Sequence, residues 1–320
     1  MFYYLNKSQI VQLVMVVLLL GWSVFTIITQ VTVCPPDGQL LLFQHLSDYW
    51  MLHPGNLKLS AILLLLIESL LLGRFYSVNK FSENQTYIPV VFFLLMMNLG
   101  GFLKMVTPAV LTIVFVTLIM RVNAQDENER PVKNRVFTSG LLVGIASLFD
   151  PLAVLAVIFL LLALITHRYS KPKDVLILLF GLLFVYAYVF SIAFFTDSVP
   201  ALTASFKNLA FFGMFKDIKS LSLYDYIFLG YSALLVVYLI IQLKLFYDNK
   251  LIVLRKRLVT IHFLMFVLIA MMLLSGLKLS YGILYITLPI SLYFSMITQY
   301  KSRIIFHDIL IIAFYVLLWL

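Results

Sequence analysis

Residues 11–28 read VQLVMVVLLLGWSVFTII, a run without a single charged side chain. At 1.5 Å of rise per residue such a run approaches the roughly 30 Å hydrocarbon core of a bilayer. It lacks the apolar-polar alternation of a barrel strand, and only helices and closed barrels satisfy their backbone polar groups in lipid. The stretch is therefore read as a transmembrane helix. Lys7 precedes it as in a signal sequence, but the apolar run continues to about Val31 without a small-residue cleavage site, so it is expected to remain as the first span. Val31-Thr32-Val33-Cys34 also lacks the small residue that a lipoprotein signal places before its cysteine. Cys34 is the sole cysteine and excludes an internal disulfide.

The rest of the chain repeats the pattern. Of its 320 residues 63% are hydrophobic and 12% charged, with a mean hydropathy of +1.04. Soluble domains hold about 45–50% apolar and about 25% charged residues, so too little polar surface remains here to clothe a soluble globule. A window of about 19 residues predicts spans near 9–31, 58–75, 87–103, 106–121, 136–149, 151–167, 174–196, 223–245, 258–276, 280–298 and 303–320. The fold class expected is all-α: a polytopic transmembrane bundle of about 11 spans in a single integral membrane domain, residues 1–320. The spans between Tyr87 and His167 are short and tightly joined at Lys104-Met105 and Asp150-Pro151, so these segments also fit re-entrant hairpins with the same orientation downstream.

Basic residues set the orientation. With the N-terminus inside, 17 of the 23 Lys and Arg residues fall on the cytoplasmic side and 6 on the exterior side. Short cytoplasmic loops retain such an excess, which places the C-terminus outside and suits a bacterial inner membrane. Arg255-Lys256-Arg257 reads as a topology anchor. The net charge of +9 is accounted for by a basic face against anionic headgroups, so the partners expected are the bilayer and other membrane proteins, with no nucleic acid. Exterior loops 32–57 and 197–223 mix aromatic, apolar and charged residues in the manner of interfacial helices. The sequon Asn84-Gln85-Thr86 falls on the cytoplasmic side and is read as chance.

No nucleotide loop, dinucleotide fingerprint, zinc-protease motif or nucleophile elbow occurs, and the five histidines are too scattered for a His-based metal site. Candidate chemistry rests on polar groups in costly places. Glu68 lies near the middle of the second span, as a proton or substrate site or as an acid bonded to a neighbouring helix. Asp150, before Pro151, is either a ligand group or the cap of the next helix. Asp48 and Asp37, with His45 and His53, form an exterior set able to do acid-base work, against the plainer reading of a solvated helix face. Lys104 follows Gly100-Gly101-Phe102-Leu103 and suits either a phosphate contact or an interfacial lysine.

Ser139-Gly140-Leu141-Leu142-Val143-Gly144-Ile145-Ala146-Ser147-Leu148-Phe149-Asp150-Pro151 resembles a hairpin of the GT-C superfamily, the membrane glycosyltransferases that use polyprenyl-phosphate sugars. Thr107-Pro108-Ala109-Val110, opening a span that ends in Arg121, is similar to the hairpin before it. Residues from about 60 to 198, ending in Phe194-Phe195-Thr196-Asp197, resemble a family of bacterial multi-pass membrane proteins defined by a domain of unknown function. The GT-C resemblance implies an exterior active site with an acidic base in the first exterior loop, a polyprenyl-phosphate sugar as donor and a divalent cation as a candidate cofactor. Asp37 and Asp48 stand apart, however, where those enzymes carry an acidic pair.

Three functions fit. The first is a non-catalytic subunit of a cell-envelope assembly on a GT-C-like scaffold. The second is a lipid-linked sugar transferase with Asp48 or Asp37 as base and His45, His53, Lys104 and Asp150 toward substrate. The third is a transporter using Glu68, against which the lack of visible repeats weighs.

Overall fold

The computed structural model describes residues 8–29, 49, 52–79, 81, 86–99, 106–123, 132–166, 171–200, 202–203, 252–274, 279–298 and 304–319, with scattered positions between 226 and 241. Among these the regular structure is entirely helical. In chain order the helices are α1 (Gln9–Thr29), α2 (Pro54–Val78), α3 (Ile88–Leu99), α4 (Val106–Asn123), α5 (Val132–Phe149), a 3-10 turn (Pro151–Leu155), α6 (Ala156–Thr166), α7 (Pro172–Phe195), α8 (Ile252–Leu274), α9 (Leu279–Thr298) and α10 (Ile304–Trp319). Four of them, α1, α2, α7 and α8, are long and apolar enough to cross a membrane. Shorter apolar helices accompany them, and the chain is a helical membrane protein.

Length and burial divide these helices. Only 17% of the most apolar window of α7 is buried, whereas every residue of α9 from Tyr285 to Ile297 is. In α3, Val90 to Leu94 are likewise buried without a break. A helix buried on all faces lies inside a bundle, and α3 and α9 lie there, packed on each other and each on α10, with Thr287, Ser291 and Ser295 along one buried face of α9. Phe92, Phe294 and Phe314 seal this centre edge to face, at centroid distances of 5.6 and 5.9 Å, and the Tyr315 hydroxyl donates to the Phe92 carbonyl at 3.1 Å. At 12 residues α3 rises about 18 Å, short of the hydrocarbon core, and protein neighbours surround it instead.

The α5–α7 pair is the most extensive helix contact, and glycine makes it so. A Cβ on Gly140 would stand 2.1 Å from the Leu178 carbonyl oxygen, and one on Gly181 would stand 2.2 Å from that of Phe137. The two glycines thus let each backbone ride on the other. Gly144, one turn along α5, faces Val185, whose side chain a Cβ would meet at 2.8 Å. This is the small-residue packing by which membrane helices gain van der Waals contact where no hydrophobic force draws them together. The glycines of the hairpin-like motif therefore have a packing role.

Helix ends follow local chemistry. The fifth helix begins at Val132, ahead of the expected 136, because Lys133, Asn134 and Arg135 form a polar first turn. The sixth span opens as a 3-10 turn, since Pro151 supplies no N–H and Asp150 caps the Leu152 amide at 2.9 Å. At the end of α7 Asp197 takes a left-handed conformation, φ 51°. The Ser198 amide then reaches the Ala193 carbonyl at 2.9 Å and the Asp197 amide that of Phe194 at 3.3 Å, closing the last turn.

Candidate functional site

Polar links sort the helix ends into two groups. At one end, Gln12 of α1 accepts from the Thr86 hydroxyl at 3.1 Å and the Tyr87 amide at 2.8 Å, satisfying a donor at the start of α3. Asn123 of α4 donates to the Asn79 side chain at 2.9 Å, and Arg257 of α8 donates to the Asn79 carbonyl at 2.9 Å. Asn79 is the last-turn cap of α2, so the buried guanidinium sits where a helix concentrates partial negative charge. Arg121 reaches the Thr138 hydroxyl of α5 at 2.7 Å. At the opposite end Lys58 of α2 donates to the Ile28 carbonyl of α1 at 2.6 Å, and Asn98 of α3 donates to Ser23 of α1 at 2.7 Å. The helices joined at each end thus run in alternating directions along the chain from α1 to α5.

Two buried carboxyl groups stand out, one at a helix junction and one in mid-helix. Asp150 lies where α5, the 3-10 turn and α9 meet. One oxygen accepts the Leu152 amide and the other the Tyr285 hydroxyl. Pro289, four residues after Tyr285, has no N–H, so the Tyr285 carbonyl lacks its usual intrahelical donor. The Asp150–Tyr285 contact thereby ties the end of α5 to a weakened turn of α9. The cap expected of Asp150 is present, on a 3-10 turn in place of an α-helix.

Glu68 differs. It is 1% exposed, two residues from the middle of α2, and neither oxygen makes a hydrogen bond of good geometry. The Thr112 side chain of α4 approaches it without reaching that geometry. Of the remaining candidates, exposed His53 precedes α2, its ring stacked on Tyr49 at 4.6 Å with Nδ1 3.1 Å from the Tyr49 carbonyl oxygen. Asp37, His45, Asp48 and Lys104 lie outside the described residues. Glu68, Asp150 and His53 thus occupy three separate places: mid-helix in α2, the α5–α9 junction, and the chain entering α2.

The sequence model of one protein family, DUF6427, described as a family of unknown function, matches residues 38–320, nearly the whole chain. The chain belongs to this family. No curated protein and no solved structure matches it. The DUF6427 match takes in α2 through α10, and with them Glu68, Asp150 and the glycine-packed α5–α7 pair.

The bonded residues that hold this DUF6427 chain together are mostly uncharged: Gln12, Ser23, Asn79, Asn98, Asn123, Tyr186 and Tyr285. A reading focused on charged groups passes over them. Their signal is a lone amide or hydroxyl inside an apolar run, which in lipid obliges a partner. Thr86, of the unused sequon, belongs to the same set through Gln12. Arg257, read from the sequence as part of a topology anchor, is buried and bonded to the α2 terminus.

Proposed function

We propose that the protein is a non-catalytic subunit of a bacterial cell-envelope assembly, held in the inner membrane with its N-terminus in the cytoplasm and its C-terminus outside. The observation that carries this reading is the outer face of α7. Its inner face is cinched to α5, where Tyr186 bonds Ser147 at 2.7 Å. Phe180, Phe184 and Tyr188, spaced one turn apart, are exposed, with Phe184 also meeting Phe137 of α5 edge to face at 6.3 Å. Tyr188 is 64% exposed and its hydroxyl has no partner among the described residues. It lies about 7 Å along the axis from the middle of α7, a position that a helix centred in the bilayer would hold within the hydrocarbon core. A hydroxyl left bare there is costly, and a second membrane chain would satisfy it.

The transporter alternative loses support because Glu68 is 1% exposed among packed helices. The subunit reading is tested by extracting the chain in a mild detergent with a photocrosslinking residue at position 180. A crosslink to another membrane protein that co-purifies, weakened by Tyr188→Phe, is the expected result. A monodisperse monomer without crosslinks overturns it.

A further inference from the structure

Glu68 is a buried group that the proposed function does not use. The helices packed on α2 are α1, α3 and α4. Residues 9–29 and 88–99 contain no titratable side chain, so neither α1 nor α3 brings a cation to the carboxyl group. In α4 the one charged side chain is Arg121, nine residues beyond Thr112 and about 13 Å farther along the axis. On α2 itself Lys58 and Arg74 are ten and six residues away, Lys58 being bound to the Ile28 carbonyl, and the Tyr76 phenol lies two turns on. A bare carboxylate so placed has lost its water and gained no counter-charge among the described residues, a costly state.

We propose that Glu68 and Thr112 form an occluded site for one unit of positive charge, a proton or a sodium ion, held between α2 and α4. The Glu68 oxygens would bind the charge, and the Thr112 hydroxyl supplies a further oxygen as acceptor or ligand. Both side chains are buried, Thr112 at 8% exposure. Occupancy makes the pair a neutral bridge between two helices.

The full-length protein in sodium-free lipid bilayers at neutral pH gives the first test, by infrared difference spectroscopy against Glu68→Gln. The chain has four glutamates, Glu68, Glu83, Glu127 and Glu129, and only Glu68 falls in an apolar span, so 13C-glutamate labelling assigns the band without relying on the variant's fold. A protonated-acid band that shifts with the label and vanishes in Glu68→Gln identifies the proton. An absent acid band, together with a melting temperature that rises with sodium but not potassium in the wild type and in neither Glu68→Gln nor Thr112→Val, identifies sodium. A carboxylate band with no sodium dependence overturns the site. None of these readouts depends on a partner chain.

Discussion

The α5–α7 pair and the α3–α9 centre both rest on apolar helices, α7 and α3 above all, yet they hold together in opposite ways. In the centre, bulky side chains such as Phe92, Phe294 and Phe314 meet one another. At the periphery, Gly140 and Gly181 remove side chains altogether so that backbone lies on backbone, and the outer face of α7 is left uncovered. The contrast teaches that apolar character in a membrane chain says nothing about burial, because lipid and protein interior are alike to a leucine. Steric fit and polar satisfaction decide the neighbours.

The sharpest way to break this comparison is to give α5 a side chain. Gly140→Ala is expected to cost about 3 kcal/mol, the upper range for overpacking, because the atom met is backbone and cannot swing away. Gly21→Ala is the control, since nothing lies within 4 Å of its added Cβ. Chemical unfolding in mixed micelles reads both; equal effects would remove the close packing from the argument. Next comes Phe93→Ala in the centre, expected to cost about 2 kcal/mol. That estimate is a cavity term of about 24 cal/mol per Å³ for the volume lost. The water-transfer term of a soluble core is small when the alternative surroundings are lipid. A loss near 5 kcal/mol by the same assay would show that the unfolded segment meets water instead.

Legibility in the sequence follows the same division. The helix ranges could be read closely from hydropathy: the run of residues 11–28 became α1, and Asp150-Pro151 marked a true junction. The identity of the inner helices was not legible, because α3 and α7 carry similar apolar runs and burial depends on residues far away in the chain. Glu68 and Asp150 were visible as polar groups in apolar surroundings. Tyr285 was not, since a tyrosine near a helix end is ordinary until a carboxyl group is brought against it.

Two smaller effects sharpen the comparison. Tyr285→Phe removes one bond to Asp150 where α5 meets α9 and is expected to cost about 1 kcal/mol, since hydrogen bonds within membranes are modest. Thermal unfolding of the variant checks this, and an unchanged midpoint would mean that the contact does not fasten the two helices. Phe180→Ala on the bare face of α7 is expected to change the isolated chain's stability by no more than about 0.5 kcal/mol while weakening partner capture. A large loss of intrinsic stability would show that this face is not free in the monomer.

By itself the sequence determined membrane residence, the helical class and the approximate ends of most helices. These follow from local properties: apolar run length, the charge between runs, and prolines and caps at the ends. Only the tertiary structure decided that α3 and α9 are interior, that Arg257 turns inward to a helix end, and that the outer face of α7 stands uncovered. It alone distinguished Asp150, which has two partners, from Glu68, whose oxygens have none of good geometry. The reason is physical: a lipid-soluble residue is content on either side of the protein boundary, so only shape and hydrogen-bond partners, both supplied by distant segments, fix its place.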